Sequence, residues 1–191
     1  MENSRCYRLK MPEYKKRKEN KTVSTKNTTR RIVMAAMLAA LACVATMIVK
    51  IPSPLKGYIN LGDCIVLLAG WSLSPLYGFL AAGIGSALAD LFSGYGTYVP
   101  ATFLIKGLMA FIAYLLHKAM RSKMKPLASW LISGAAAEVW MVAGYLLFEG
   151  ILYGFVPSLV NVPANAVQGV AGLVLGCVLI KVFEKSKIDL K

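Results

Sequence analysis

Histidine occurs once in the chain, at position 117, with no cysteine or second histidine near it in sequence. It closes a helix beside basic residues, so it reads as interfacial and supports neither a metal site nor a Ser-His-Asp set. Cysteine is scarce too: Cys6, Cys43, Cys64 and Cys177, with no CxxC spacing. Three of them sit in apolar runs and read as small apolar packers, not as a disulfide framework. HExxH is absent, and so is the GxxxxGK[ST] loop that cradles nucleotide phosphates. No catalytic residue, metal or cofactor is therefore expected. Strict apolar–polar alternation is missing, which excludes a membrane β-barrel. No internal repeat is visible, so an inverted-repeat transporter is not supported.

Acidic residues are few: 9 Asp+Glu against 22 Lys+Arg, a net charge of +13. Such a balance can mark nucleic-acid binding, but the placement of the charges argues otherwise. Eleven basic residues fall between Arg5 and Arg31, four at Lys118, Arg121, Lys123 and Lys125, and four at Lys181, Lys185, Lys187 and Lys191. They flank apolar runs, as Lys and Arg do on the cytoplasmic side of membrane helices. The partner they imply is the lipid bilayer, whose anionic lipid the basic tail can touch, and no nucleic acid.

Apolar residues are abundant: 57 % of the chain is hydrophobic and its mean hydropathy is +0.58. They form long runs broken by Pro, Gly and Lys, the pattern of bilayer-spanning helices. The run 32–49 follows the basic stretch. Ala40-Leu41-Ala42-Cys43 faintly resembles a lipoprotein cleavage box, but the run stays apolar beyond it, so a retained first helix is expected. The stretch 60–92 would make a helix of roughly 50 Å, far longer than the ~30 Å hydrocarbon core. Ser74 suits an N-cap and Pro75 a first turn. The stretch therefore divides into helices at 60–73, short for a span, and 75–92. Further helices are expected over 101–119, 126–148 and 162–183, with loops at 93–100 and 149–158.

The fold class read from this is all-α: an integral membrane protein of six transmembrane helices with both termini cytoplasmic. It divides into a basic, disordered tail at 1–29, a six-helix domain at 30–183 and a second tail at 184–191.

Charged groups inside membrane helices are costly and usually functional. Lys106 lies one turn inside helix four, on a stripe with Thr102. Glu138 lies near the middle of helix five, on the face of Met141, Val142 and Tyr145. Asn161, Asn165 and Gln168 recur at i, i+4, i+7 on helix six. Outer loops add Tyr58, Tyr95 and Tyr98. Apolar walls with a few oriented polar groups suit a small polar aromatic ligand. The competing reading pairs Lys106 with Glu138 and uses the amides as interhelical glue. Asp63 reads first as favouring the positive terminus of helix two, and Asp90 as ordering the Gly-rich loop beside it. Ala35/Ala39 and Ala36/Ala40 give AxxxA spacings, and Gly78, Ala82, Gly85 and Ala89 a second stripe of small residues. Both suit close helix packing, and contact with another membrane subunit is the rival use of the first.

Three blocks, Ile59-Asn60-Leu61-Gly62-Asp63, Gly83-Ile84-Gly85-Ser86-Ala87-Leu88-Ala89-Asp90 and Pro100-Ala101-Thr102-Phe103-Leu104-Ile105-Lys106-Gly107, resemble the S components of energy-coupling factor (ECF) transporters, the riboflavin-type group in particular. Asn161-Val162-Pro163-Ala164-Asn165-Ala166-Val167-Gln168-Gly169 fits as well. The resemblance covers about 30–183. It implies a bacterial plasma-membrane subunit that captures a vitamin or vitamin precursor at its outer side. The first loop and helices four to six would form the pocket, adding Asn60 to the candidates above. Lys106, Asn165 and Gln168 match polar positions expected at the ligand. The face of Ala35, Ala36, Ala39 and Ala40 would dock onto a transmembrane coupling subunit carrying two ATPases. A Lys and a Glu within the membrane would suit a ring with donor and acceptor groups, such as a pyridine or pyrimidine precursor, or riboflavin. A stand-alone facilitator or channel is the alternative function. An intramembrane enzyme using Glu138 or Asp90 is a weaker one.

Overall fold

The computed structural model describes residues 28–53 and 57–185. Most of both expected tails, with Cys6 and Lys56, lies outside them. The first helix, α1 (Thr28–Ile48), runs unbroken through the Ala40–Cys43 box. A small antiparallel hairpin follows, β1 (Ile51–Pro52) and β2 (Tyr58–Ile59), pairing Ile51 with Ile59 and Pro52 with Tyr58. Its return strand passes Gly57 at φ +111°, a conformation that disfavours a side chain. Then come α2 (Asp63–Ser72), α3 (Pro75–Phe92), α4 (Val99–Met120), α5 (Pro126–Tyr153), the single turn α6 (Phe155–Ser158) and, after a 3-10 turn, α7 (Val162–Lys185). The expected all-α architecture of six principal helices is the architecture observed. Among the described residues, α1, α3, α4, α5 and the stretch Phe155–Lys185 are long and apolar enough to cross a membrane.

Ten residues make α2 about 15 Å long, half the hydrocarbon core. It begins three residues later than expected because Asn60 is engaged elsewhere. Asn60 Oδ1 accepts from the Gly62 amide at 2.9 Å, and the Asn60 amide donates to Gln168 of α7 at 2.8 Å. Every residue of α2 is buried, as a helix apolar on all sides must be. It packs among α3, α4, α5 and α7. Close contact with α4 comes from Gly70, where a Cβ would stand 2.5 Å from the Ala110 carbonyl oxygen. The division between α2 and α3 falls where expected. Ser74 is the extended N-cap and Pro75 opens the helix, although the Ser74 hydroxyl makes no capping bond.

Helix α5 runs five residues beyond its expected end at 148. Gly150 does not break it, because the Phe155 ring occupies the space a side chain there would need: a Cβ on Gly150 would lie 2.5 Å from Phe155 Cδ1. Gly154, at φ +91°, is the residue that ends the helix. The outer surface of the bundle is apolar, with Val139, Ile151 and Val156 at 68–78 % exposure, as lipid-facing positions are.

Candidate functional site

At the end of the bundle where the hairpin meets the α3–α4 loop and the tips of α5 and α7, a narrow cleft opens. Four tyrosines line it: Tyr58 on β2, Tyr95 and Tyr98 in the α3–α4 loop, and Tyr145 on α5. The rings of Tyr58 and Tyr95 lie 4.9 Å apart, and Tyr95 meets Tyr98 edge-on at 6.2 Å. Between the rings stand Asn60, Thr102, Asn165 and Gln168, together with the carboxylates of Asp90 and Glu149.

Most polar wall groups are held by a neighbour. The Tyr58 hydroxyl donates to Asp90 Oδ1 at 2.6 Å. Burial, then the Asp90 charge, pushes the Tyr58 phenol up from its ordinary value, so it remains a donor. The Asp90 main-chain carbonyl accepts from the Tyr95 amide at 2.9 Å, while its carboxylate serves Tyr58 of β2. Thr102 and Tyr145 share a hydroxyl–hydroxyl bond at 3.1 Å. Glu149 accepts from Asn161 Nδ2 at 3.0 Å and more distantly from the Tyr98 hydroxyl at 3.4 Å. Asn165 is half-buried at the cleft wall, with no hydrogen bond from its side chain to another described residue.

Beneath the cleft lies a polar floor. Asp63, fully buried, is ion-paired with Lys106, itself 2 % exposed. Gln168 Nε2 donates to the second Asp63 oxygen at 2.7 Å, while Gln168 Oε1 accepts from the Asn60 amide. The Lys106 ammonium lies 5.5 Å from the centre of the Tyr145 ring. Glu138 joins this group from α5 where α7 offers no side chain. A Cβ on Gly172 would stand 2.6 Å from Asp63 Cβ and 3.0 Å from Glu138 Oε1. Glu138 is 6 % exposed, and neither of its oxygens has a hydrogen-bond partner among the described residues.

Of the sequence-predicted ligand residues, Tyr58, Asn60, Tyr98, Thr102, Tyr145, Asn165 and Gln168 line the cleft. Lys106 and Glu138 lie in the floor below, and Asn161 stands behind Glu149. The competing reading of Lys106 and the expectation for Asp63 both need correction. Lys106 does not pair with Glu138, because Asp63 takes its ammonium. The Asp63 carboxylate is in the first turn of α2, as expected, but its side chain serves that ion pair and Gln168 and makes no capping bond. Glu149 is a cleft residue that the sequence reading left in a loop. Its signal was present: Glu138, Met141, Tyr145 and Glu149 fall at i, i+3, i+7, i+11, one face of a helix that continues past 148.

The small-residue face of α1 is divided between two roles. Ala35 is buried and Ala39 half-buried, and α3 approaches so closely that a Cβ on Gly85 would stand 2.3 Å from the Ala39 carbonyl oxygen. Ala36 and Ala40 are exposed. All four border an apolar groove between α1 and α3.

The fold is similar to that of the S component of a bacterial ECF transporter, with a TM-score of 0.67 and 24 % identity, over 84 % of this chain and 99 % of that one. It is also similar to ThiT from Listeria monocytogenes, with a TM-score of 0.58 and 16 % identity, over 86 % and 98 % of the two chains. In sequence the chain is 34 % identical over 134 residues to an uncharacterized protein of Pyrococcus woesei, covering 70 % of this chain and 87 % of that one. It is 25 % identical over 170 residues to the thiamine precursor transporter HmpT of Lactococcus lactis, covering 88 % and 95 %. Residues 26–185 match the family described as ECF-type riboflavin transporter, S component. The chain is therefore a multi-pass membrane protein that belongs to the ECF S-component family.

Proposed function

We propose that the tyrosine-lined cleft captures a single-ring heteroaromatic vitamin precursor from the outer face of the membrane, for import by an ATP-driven ECF complex. The observation that carries this reading is the wall itself: four tyrosines for stacking, interleaved with amides, a hydroxyl pair and two carboxylates. Stacking on tyrosine faces favours a flat ring, and the carboxylates favour a ring with N–H donors. The precursor specificity of HmpT points the same way.

In this reading Tyr58, Asn60, Tyr98, Thr102, Tyr145, Asn165 and Gln168 contact the ligand. Lys106, Glu138 and Asn161 act from beneath and behind them. The basic ends at Arg31, Lys118–Lys125 and the C-terminus face the cytoplasm, which puts the cleft outside. No residue is assigned a catalytic role. Transport then requires a transmembrane coupling subunit and ATPases, and the exposed Ala36 and Ala40 offer the closest backbone approach to such a subunit.

The test is to purify the chain in mild detergent and identify the co-purified small molecule by mass spectrometry. Its affinity is then compared with that of riboflavin for the wild type and for Asn165→Ala. A one-ring compound that binds more tightly than riboflavin and is weakened by the substitution supports the proposal. Tighter binding of riboflavin overturns the one-ring assignment. Uptake by liposomes holding this chain alone overturns the need for a coupling module.

A further inference from the structure

At the end of the bundle opposite the cleft, the start of α1, the α2–α3 turn and the end of α4 border a second cavity. Its charge has one sign. Arg31, Lys118 and Arg121 border it, and no acidic residue is among those lining it. Helix α3 begins at its wall. Pro75 has no N–H, and the first i→i−4 bond runs from Gly78 to Ser74 at 2.8 Å. The amides of the turn before it therefore lack intrahelical acceptors, and the Ser74 hydroxyl caps none of them. Such a terminus attracts anions.

An independent observation points to a ligand. Ser72, at 7 % exposure, lines the same cavity, and its hydroxyl has no hydrogen-bond partner among the described residues. A buried hydroxyl without a partner is costly, a loss that a bound acceptor oxygen would remove. The aromatic residues place the cavity at the membrane interface. Tyr77 and Tyr114 border it, and Lys118 lies 5.6 Å from the centre of the Tyr114 ring. Tyrosine and tryptophan collect at headgroup depth, and basic pockets between transmembrane helices hold anionic headgroups.

We propose that this cavity binds the phosphate of one anionic phospholipid. Arg31 and Arg121 neutralise it, the α3 terminus and Ser72 donate to its oxygens, and the acyl chains lie along the apolar flank of the bundle. The membrane leaflet that carries the acidic lipid is thus gripped at the basic end, away from the cleft.

The experiment is native mass spectrometry of the full chain in a neutral detergent, supplied with equal amounts of dioleoylphosphatidylglycerol and dioleoylphosphatidylcholine. One phosphatidylglycerol per chain is expected to be retained in preference to phosphatidylcholine. Retention should fall roughly tenfold or more in Arg31→Gln/Arg121→Gln, since each basic residue near anionic lipid contributes substantially. It should fall less in Ser72→Ala, and stay unchanged in Lys123→Gln/Lys125→Gln, which removes equal charge outside the cavity. Equal retention of both lipids, or equal loss in both double variants, overturns the site. Displacement of the lipid by low concentrations of inorganic phosphate makes the ligand a soluble anion and overturns the lipid assignment.

Discussion

Lys106 of α4 and Asp63 of α2 form an ion pair in which both side chains are almost wholly withdrawn from solvent. Gln168 of α7 completes it by donating to the other carboxylate oxygen, so one buried charge pair ties three helices together under the cleft. Removing one member strands the other, at a cost of about 3–5 kcal/mol. Lys106→Met and Asp63→Asn should each lower the thermal unfolding midpoint in detergent sharply. The double variant Asp63→Asn/Lys106→Met leaves no buried charge there and retains an acceptor for Gln168. It should lose clearly less than the two single losses combined, and full additivity in a thermal-melt cycle would show the pair to be uncoupled.

The two amides of α7 separate binding from architecture. Asn165 faces the cleft without a hydrogen bond to another described side chain, whereas Gln168 bridges Asn60 and Asp63. Asn165→Ala should therefore weaken the co-purified compound by about tenfold, the worth of one hydrogen bond, with no change in melting. Gln168→Ala should lower both affinity and melting temperature, because it leaves a buried amide and a carboxylate oxygen unsatisfied. Calorimetric titration alongside thermal melts reads the two effects apart. A melting loss in Asn165→Ala would make that amide structural.

How far the sequence carried these conclusions follows from which interactions are local. Helix number, the division at Ser74-Pro75 and the side chains facing the cleft depend on run length, capping and i, i+4 spacing, all within one helix. Pairing across helices is another matter. Asp63 and Lys106 are 43 positions apart, and nothing in the spacing ranks Asp63 above Glu138 as the partner of Lys106. The selection is made by where α2 sits against α4 and α7, and Gly172 sets it by letting α7 close over both carboxylates. Glu149 was missed for a related reason. Gly150 looks like a helix breaker until the Phe155 ring is seen in the place of its side chain.

Gly85 gives a test of the α1–α3 seam. A Cβ there would stand 2.3 Å from the Ala39 carbonyl oxygen, and backbone cannot rotate away as a side chain can. Gly85→Ala should destabilise the protein by about 1–3 kcal/mol through overpacking. Gly96→Ala, where an added Cβ meets nothing within 4 Å, should melt like the wild type. Thermal unfolding of the two variants side by side checks this, and equal melting would mean that α1 is not seated on α3.

The division of the α1 alanines predicts a separation of functions along a single helix. Ala36 and Ala40 are exposed, while Ala35 is buried against the bundle. If the exposed pair receives a coupling subunit, Ala36→Leu/Ala40→Leu adds bulk where close backbone approach is needed but disturbs nothing inside the chain. Ligand binding by the isolated variant should be unchanged, while co-purification with a coupling module and ATP-driven uptake in reconstituted vesicles should be lost. Ala35→Leu should act in the opposite order, lowering the melting temperature first through overpacking. Normal uptake by the Ala36→Leu/Ala40→Leu protein would move the docking face elsewhere on the bundle and leave the cleft assignment intact, because the two are read by different measurements.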